Sequence, residues 1–178
     1  MMRQRLQQGH IQVYTGDGKG KTTCAFGLAL RAVGQGFQVY FIQFLKGRDT
    51  GEIRAAERLA PELTLKGFGR PVLVNLKDPA PEDLALVQEG LDLARRVLAA
   101  GDHDLVILDE INVAMAYNLA PVGEVLDMVR RRPAHVEVVL TGRAAPPEII
   151  EAADLVTEMV PRKHYWEAGV QSRRGIEW

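Results

Sequence analysis

Thr15-Gly16-Asp17-Gly18-Lys19-Gly20-Lys21-Thr22-Thr23 decides the fold of this 178-residue chain. An apolar run, Ile11-Gln12-Val13-Tyr14, leads into it, and a longer apolar segment, Cys24 to Val33, leaves it. That order reads as strand, glycine loop, helix. Glycines let the backbone bend so that several N–H groups point inward. The helix N-terminus adds partial positive charge and Lys21 adds a full one. The result is a cradle for a polyphosphate, with the Thr22 hydroxyl placed for Mg²⁺. Gly16, Asp17, Gly18, Lys19, Gly20, Lys21, Thr22 and Thr23 are therefore candidate nucleotide-binding residues. Lys21 holds the lysine position of the P-loop pattern, and Lys19 is a second candidate for phosphate contact. The glycine spacing departs from that pattern. Thr15 stands where its first glycine belongs, and the glycines fall at 16, 18 and 20.

Outward from the loop, apolar runs alternate with helical patterns. Strands are predicted at Ile11–Tyr14, Gln38–Gln43, Leu63–Lys66, Leu105–Leu108, Val136–Thr141 and Leu155–Met159. Several are nearly continuous apolar runs, as expected of strands buried on both faces. A first helix runs from Lys21 to Val33 and stops at Gly34. It is apolar nearly all round, which predicts deep burial with Cys24 packed as a small apolar residue. A second starts at Pro81, turns Leu84, Val87, Leu91, Ala94 and Leu98 inward, and ends at Gly101. A third starts at Pro121 with Val122, Val125, Leu126 and Val129 inward. It ends at Arg130-Arg131-Arg132, read as a solvated helix end favoured by the helix dipole. A short helix begins at Pro146-Pro147-Glu148. The alternation predicts an α/β fold, a mostly parallel sheet with helices on both faces. Ligands of such sheets bind beyond the carboxyl ends of the strands. Here that edge holds Thr15–Thr23, Gln43–Gly47, Gly67–Arg70, Asp109-Glu110 and Thr141–Arg143.

Leu105-Val106-Ile107-Leu108-Asp109-Glu110 is a buried strand ending in two acids, the pattern of a Walker B element. Asp109 and Glu110 are candidate Mg²⁺ ligands, directly or through water, opposite Thr22. Mn²⁺ is an acceptable substitute for such a site. Arg143 follows the fifth predicted strand, where its guanidinium fork suits a phosphate. The four histidines show no metal-ligand spacing.

Length and composition agree with one folded domain. Hydrophobic residues make up 47% and charged residues 25%, with a net charge of −1. That balance gives no sign of a nucleic-acid partner. A single cysteine excludes a disulfide framework and a cysteine-rich zinc site. No apolar run approaches a membrane span and no secretory signal is visible, so a cytoplasmic location is expected. The polar stretch Met1–His10 reads as a flexible leading segment and residues 11–178 as the domain.

Taken together, the motifs resemble the P-loop ATP:cob(I)alamin, or corrinoid, adenosyltransferases. The resemblance rests on the loop with its displaced glycines, Phe26–Gly36, Gln43-Phe44-Leu45-Lys46-Gly47, Leu105–Glu110, Thr141-Gly142-Arg143 and the closing segment Val160–Trp178. It implies a single-domain RecA-like P-loop fold, usually a homodimer. It also implies transfer of the 5′-deoxyadenosyl group of ATP to Co(I) of cob(I)alamin or a related corrinoid, with release of triphosphate, in adenosylcobalamin biosynthesis or salvage. ATP would lie reversed in the loop, held at Gly18, Gly20, Lys21, Thr22 and Thr23. The resemblance further implies a reduced flavoprotein as electron donor. Family members carry a Gly-Phe-Thr-Trp segment that helps remove the lower cobalt ligand. This chain reads Gly67-Phe68-Gly69-Arg70, so Phe68 matches and Arg70 replaces the tryptophan. Lys21, Thr22, Glu110 and Phe68 are then the catalytic candidates. A small-molecule or nucleoside kinase and a RecA-like ATPase use the same loop and stay open. The product separates them, since both would yield ADP.

Overall fold

The computed structural model describes residues 5–47 and 50–177. Among the described residues are six strands and six helices, alternating except that two helices follow the fourth strand. In chain order these are β1 (Ile11–Thr15), α1 (Lys21–Gly34), β2 (Val39–Phe44), α2 (Gly51–Glu57), β3 (Leu63–Phe68) and α3 (Pro81–Ala100). There follow β4 (Leu105–Asp109), α4 (Ile111–Ala116), α5 (Val122–Arg130), β5 (Glu137–Thr141), α6 (Pro147–Ala152) and β6 (Leu155–Glu158). The strands form one sheet in the order β3-β2-β4-β5-β1-β6, and every pair is parallel. This is the expected α/β, RecA-like P-loop fold. All six strands predicted from the sequence are present.

Two cores sandwich the sheet. One face carries α3 to α6 over Ile42, Phe44, Val106, Leu108, Val138 and Leu140. The other carries α1 and α2 over Tyr14, Val39, Phe41, Leu105, Ile107 and Val139. Alternate residues of one strand therefore feed opposite cores, which is why β2 and β4 are buried at every position and apolar except at Gln43 and Asp109. β6 is the exception. It lies at the edge, and all four of its residues are exposed.

The helices depart from the sequence reading in four places. α1 is not buried all round: Ala25, Ala29 and Ala32 make its inward stripe, while Leu30 is 53% exposed and Cys24 faces outward. A helix laid on a sheet buries one stripe whatever its composition. In α3, Leu84 is exposed because it lies in the first turn, ahead of the contact with the sheet, while Val87, Leu91, Ala94 and Leu98 are buried as expected. Arg132 is not a solvated helix end. Its guanidinium turns inward to donate to the carbonyls of Val129, Val136 and Gly9. The short helices α2 and α4 carry too few residues for a periodic signal.

The leading segment touches the body from Arg5 onward. Arg5 donates to the Gly101 carbonyl, and the backbone N–H groups of Gly9 and His10 donate to Ala134 O and the Glu137 carboxylate. The rest of that segment, residues 1–4, lies outside the described residues. Among the described residues no helix is long and apolar enough to cross a membrane.

Candidate active site

Strand register brings the site together. β2 pairs with β4 so that Gln43 lies beside Asp109, and β1 pairs with β5 so that Tyr14 lies beside Thr141. The loop after β1, the loop after β2, the acids ending β4 and the turn after β5 thus converge on one edge of the sheet.

The glycine spacing of the first loop has a structural cause. Thr15 is the last residue of β1; it is buried, and its hydroxyl accepts the Ala145 N–H at 3.2 Å. The bend begins one residue later, at Gly16 with φ 90°, and α1 is entered through Gly20 with φ 122°. Both are left-handed conformations that favour glycine. Gly18 N–H donates to the Met159 carbonyl at 2.6 Å, and a Cβ at Gly16 or Gly18 would lie 2.6 Å from that same oxygen. The loop is therefore pressed backbone to backbone against the residue following β6.

Lys21 is buried and folded over the loop, donating to Gly16 O at 2.5 Å and Gly18 O at 2.8 Å. Burial pushes its ammonium below the usual lysine range, against the opposing pull of Glu110. Lys19 points elsewhere. Its ammonium donates to the Tyr165 hydroxyl, Ile176 O and Glu177 Oε1, so it pins the C-terminal segment beside the loop. Asp17 is exposed, with Arg143 3.8 Å from its carboxylate, so both stand at the mouth of the loop. Thr23 opens the outer face of α1 and is exposed.

Asp109 is fully buried and organises the floor. Its Oδ1 accepts from the hydroxyls of Thr22 (2.9 Å) and Thr141 (2.6 Å). Its Oδ2 accepts from Gln43 Nε2 (3.2 Å) and Lys46 Nζ (2.8 Å). Glu110 follows in a left-handed conformation, φ 63°, that a non-glycine residue adopts at a cost of about 1–3 kcal/mol. The Thr141 hydroxyl accepts its backbone N–H. The kink directs the Glu110 carboxylate to the same place, 3.5 Å from Lys46 Nζ.

Lys46, Gln43 and Thr141 were within the expected ligand edge, but nothing in their spacing singled them out. Lys46 Nζ donates to Thr22 Oγ1 at 2.8 Å as well as to Asp109. Burial disfavours its charge, but Asp109 and Glu110 outweigh that and hold the ammonium above the usual lysine range.

The donor set fits Mg²⁺. Thr22, Asp109 and Glu110 offer only oxygen, and they surround a point that holds a positive charge. Among the described residues no group of three His, Cys, Asp or Glu side chains could hold a metal by itself. One or two carboxylates, a hydroxyl and substrate phosphates is the usual environment of this ion.

Phe68 ends β3, level with Phe44 of β2, and is half-buried. A Cβ at Gly90 of α3 would lie 3.2 Å from its Cγ, so the ring rests partly on α3. It also borders a shallow hollow with Lys66, Glu89, Asp92, Leu93 and Arg96. Arg70 does not copy an apolar tryptophan. It makes a two-pronged ion pair with the buried Asp83, Nε to Oδ1 at 2.7 Å and a terminal nitrogen to Oδ2 at 2.6 Å. Asp83 also accepts the Ala80 N–H, so the pair ties the loop after β3 to the first turn of α3.

Comparison with known proteins bears on the fold and the family. The structure is similar to the flagellar accessory protein FlaH of Methanocaldococcus jannaschii, with a TM-score of 0.60 at 13% identity, covering 86% of this chain and 72% of that one; this likeness concerns the fold alone. The corrinoid adenosyltransferase of Pseudomonas aeruginosa is 38% identical over 98% of this chain and 86% of its own length. That of Escherichia coli is 39% identical over 97% and 87%. The family model for ATP:corrinoid adenosyltransferase BtuR/CobO/CobP matches residues 7–178. From the displaced glycines to the C-terminal segment, the chain belongs to the ATP:corrinoid adenosyltransferase family.

Proposed function

We propose that this protein is a transferase that moves the 5′-deoxyadenosyl group of ATP to the cobalt of a corrinoid. The observation that carries the reading is the convergence of the glycine loop, Lys21, Thr22, Asp109 and Glu110 on one strand edge of a chain in this family. The nucleophile is the substrate's Co(I). A Co–C bond forms at the ribose C5′, the C5′–O bond breaks, and its electron pair leaves with the triphosphate. No P–O–P bond breaks. The protein then has to align the two substrates and neutralise the leaving group.

Lys21 is already in the loop, and turning from its two carbonyl partners to phosphate oxygens exchanges neutral acceptors for charged ones. The N–H groups of Gly20 and Thr22–Thr23 supply the helix N-terminal field, while that of Gly18 is taken by the Met159 carbonyl. Arg143 and Asp17 at the mouth can reach the distal end of a bound nucleotide. Mg²⁺ or Mn²⁺, held by Thr22 and the Asp109–Glu110 pair, would when bound neutralise charge on the triphosphate. Phe68 is the residue we assign to the corrin face, with part of its ring exposed at the end of β3. A homodimer, and a reduced flavoprotein as source of the electron that makes Co(I), complete the reading by family likeness.

Phosphorus NMR of a completed reaction with ATP, Mg²⁺ and chemically reduced cobalamin tests it. One inorganic triphosphate per adenosylated corrinoid is expected. ADP in proportion to product, or ATP turnover without corrinoid, would overturn it in favour of a kinase or an ATPase.

A further inference from the structure

We infer that Lys46 is a built-in counter-cation: its ammonium sits among the oxygens that would hold the divalent metal and couples the arrival of metal to that of nucleotide. Three oxygens that suit Mg²⁺ surround one nitrogen, Thr22 Oγ1 and Asp109 Oδ2 at 2.8 Å and Glu110 Oε1 at 3.5 Å. A divalent ion cannot bind these oxygens while the ammonium stays, because both positive charges would need the same point.

The placement of Lys46 is built by the backbone. Leu45 adopts a left-handed conformation, φ 61°, and donates its N–H to Phe68 O at 2.8 Å. At Gly47 a Cβ would lie 2.0 Å from Gly69 O, and at Gly69 one would lie 2.5 Å from Lys46 N. The loop is thus locked against the segment after β3, with Lys46 between two fixed points. Such strain in a non-glycine residue persists where surrounding structure enforces it.

The consequence is thermodynamic. Without nucleotide, Asp109 and Glu110 are neutralised by Lys46, so free metal gains little. A triphosphate brings new negative charge to the edge. The metal then has further ligands and the ammonium has phosphate oxygens to turn to. Metal and nucleotide each raise the affinity of the other by the same factor.

That assignment rests on the reading of this edge as a metal–triphosphate site, and the test separates the two. Mn²⁺ bound to the protein is followed by equilibrium dialysis, as the excess on the protein side, with no corrinoid present. It is measured with and without ATP, for the wild type, Lys46→Met and Lys46→Arg, each checked for folding by circular dichroism. The wild type and Lys46→Arg should take up Mn²⁺ weakly alone and tightly with ATP. Lys46→Met should take up Mn²⁺ alone at least tenfold more tightly than the wild type, and a second change, Glu110→Gln, should remove that gain. If Lys46→Met does not fold, Lys46→Gln carries the same test. If both proteins bind Mn²⁺ with ATP but the neutral variant binds Mn²⁺ alone no better than the wild type, the role of Lys46 is refuted. If neither binds Mn²⁺ with ATP, the metal–triphosphate reading fails with it.

Discussion

Two adjacent acids with different surroundings cannot have the same role. Asp109 is sealed, and each of its oxygens accepts two hydrogen bonds. Glu110 is partly exposed, and its carboxylate faces a positive charge at the mouth of the site. Asp109→Asn replaces one oxygen by an NH₂ group that faces donors. Each buried group left unsatisfied costs about 1–3 kcal/mol, so this variant should melt at lower temperature as well as lose activity. Glu110→Gln keeps its shape and its neighbours. It should melt like the wild type while its Mg²⁺ requirement rises by about 10- to 100-fold. Thermal unfolding and Mg²⁺ titration of both variants check this. Equal melting points for the two would show that Asp109 does not organise the floor.

At the scale of the element, α3 carries a glycine in its middle. Gly90 is weaker than alanine in a helix interior by about 1 kcal/mol, so the sequence alone favours replacement. The packing says otherwise. A Cβ there would lie 2.6 Å from Cε1 of Phe44, whose ring is fully buried, and 3.2 Å from Phe68. Gly90→Ala should therefore destabilise the fold, because overpacking of this kind costs about 1–3 kcal/mol. It should also disturb Phe68. Urea unfolding decides, and a variant more stable than the wild type would mean that Phe44 and Phe68 move aside easily. α2 and α4 teach the same lesson from the other side. Too short to show a period, they are held by packing on the sheet, α2 against β3 and α4 against β5 and β2.

Across the whole molecule, the C-terminal segment returns to the first loop. Glu177 accepts from Lys19 at 2.9 Å, bonds the Tyr165 hydroxyl, and is bound by the Arg173 N–H and guanidinium. Arg173 first, then Tyr165 and Lys19, hold the Glu177 carboxyl well below the usual carboxylate range. A depressed carboxyl contributes stability that is present above its unfolded value, about 4.3, and is lost as pH falls below it. Glu177→Gln should thus raise hydrogen exchange of residues 163–177 several-fold at pH 7, with the gap to wild type closing in acid. Exchange mass spectrometry reads this directly. A gap that stays constant with pH would exclude the carboxylate as the tether.

The six strands, the longer helices, the parallel sheet, the phosphate loop and the acid pair were legible in the sequence. Each depends on local signals: glycine at a bend, apolar runs of strand length, carboxylates at a strand end. The displaced glycines were legible as a departure, but their cause was not, since it lies in the carbonyl of Met159, far away in the chain. Lys46 between Thr22 and Asp109, Lys19 turned to the C-terminal segment, and Arg70 paired with Asp83 were decided by tertiary structure alone. A charged side chain has no periodic signature. Its partner is set by which strands lie side by side, and that order is a property of the folded sheet.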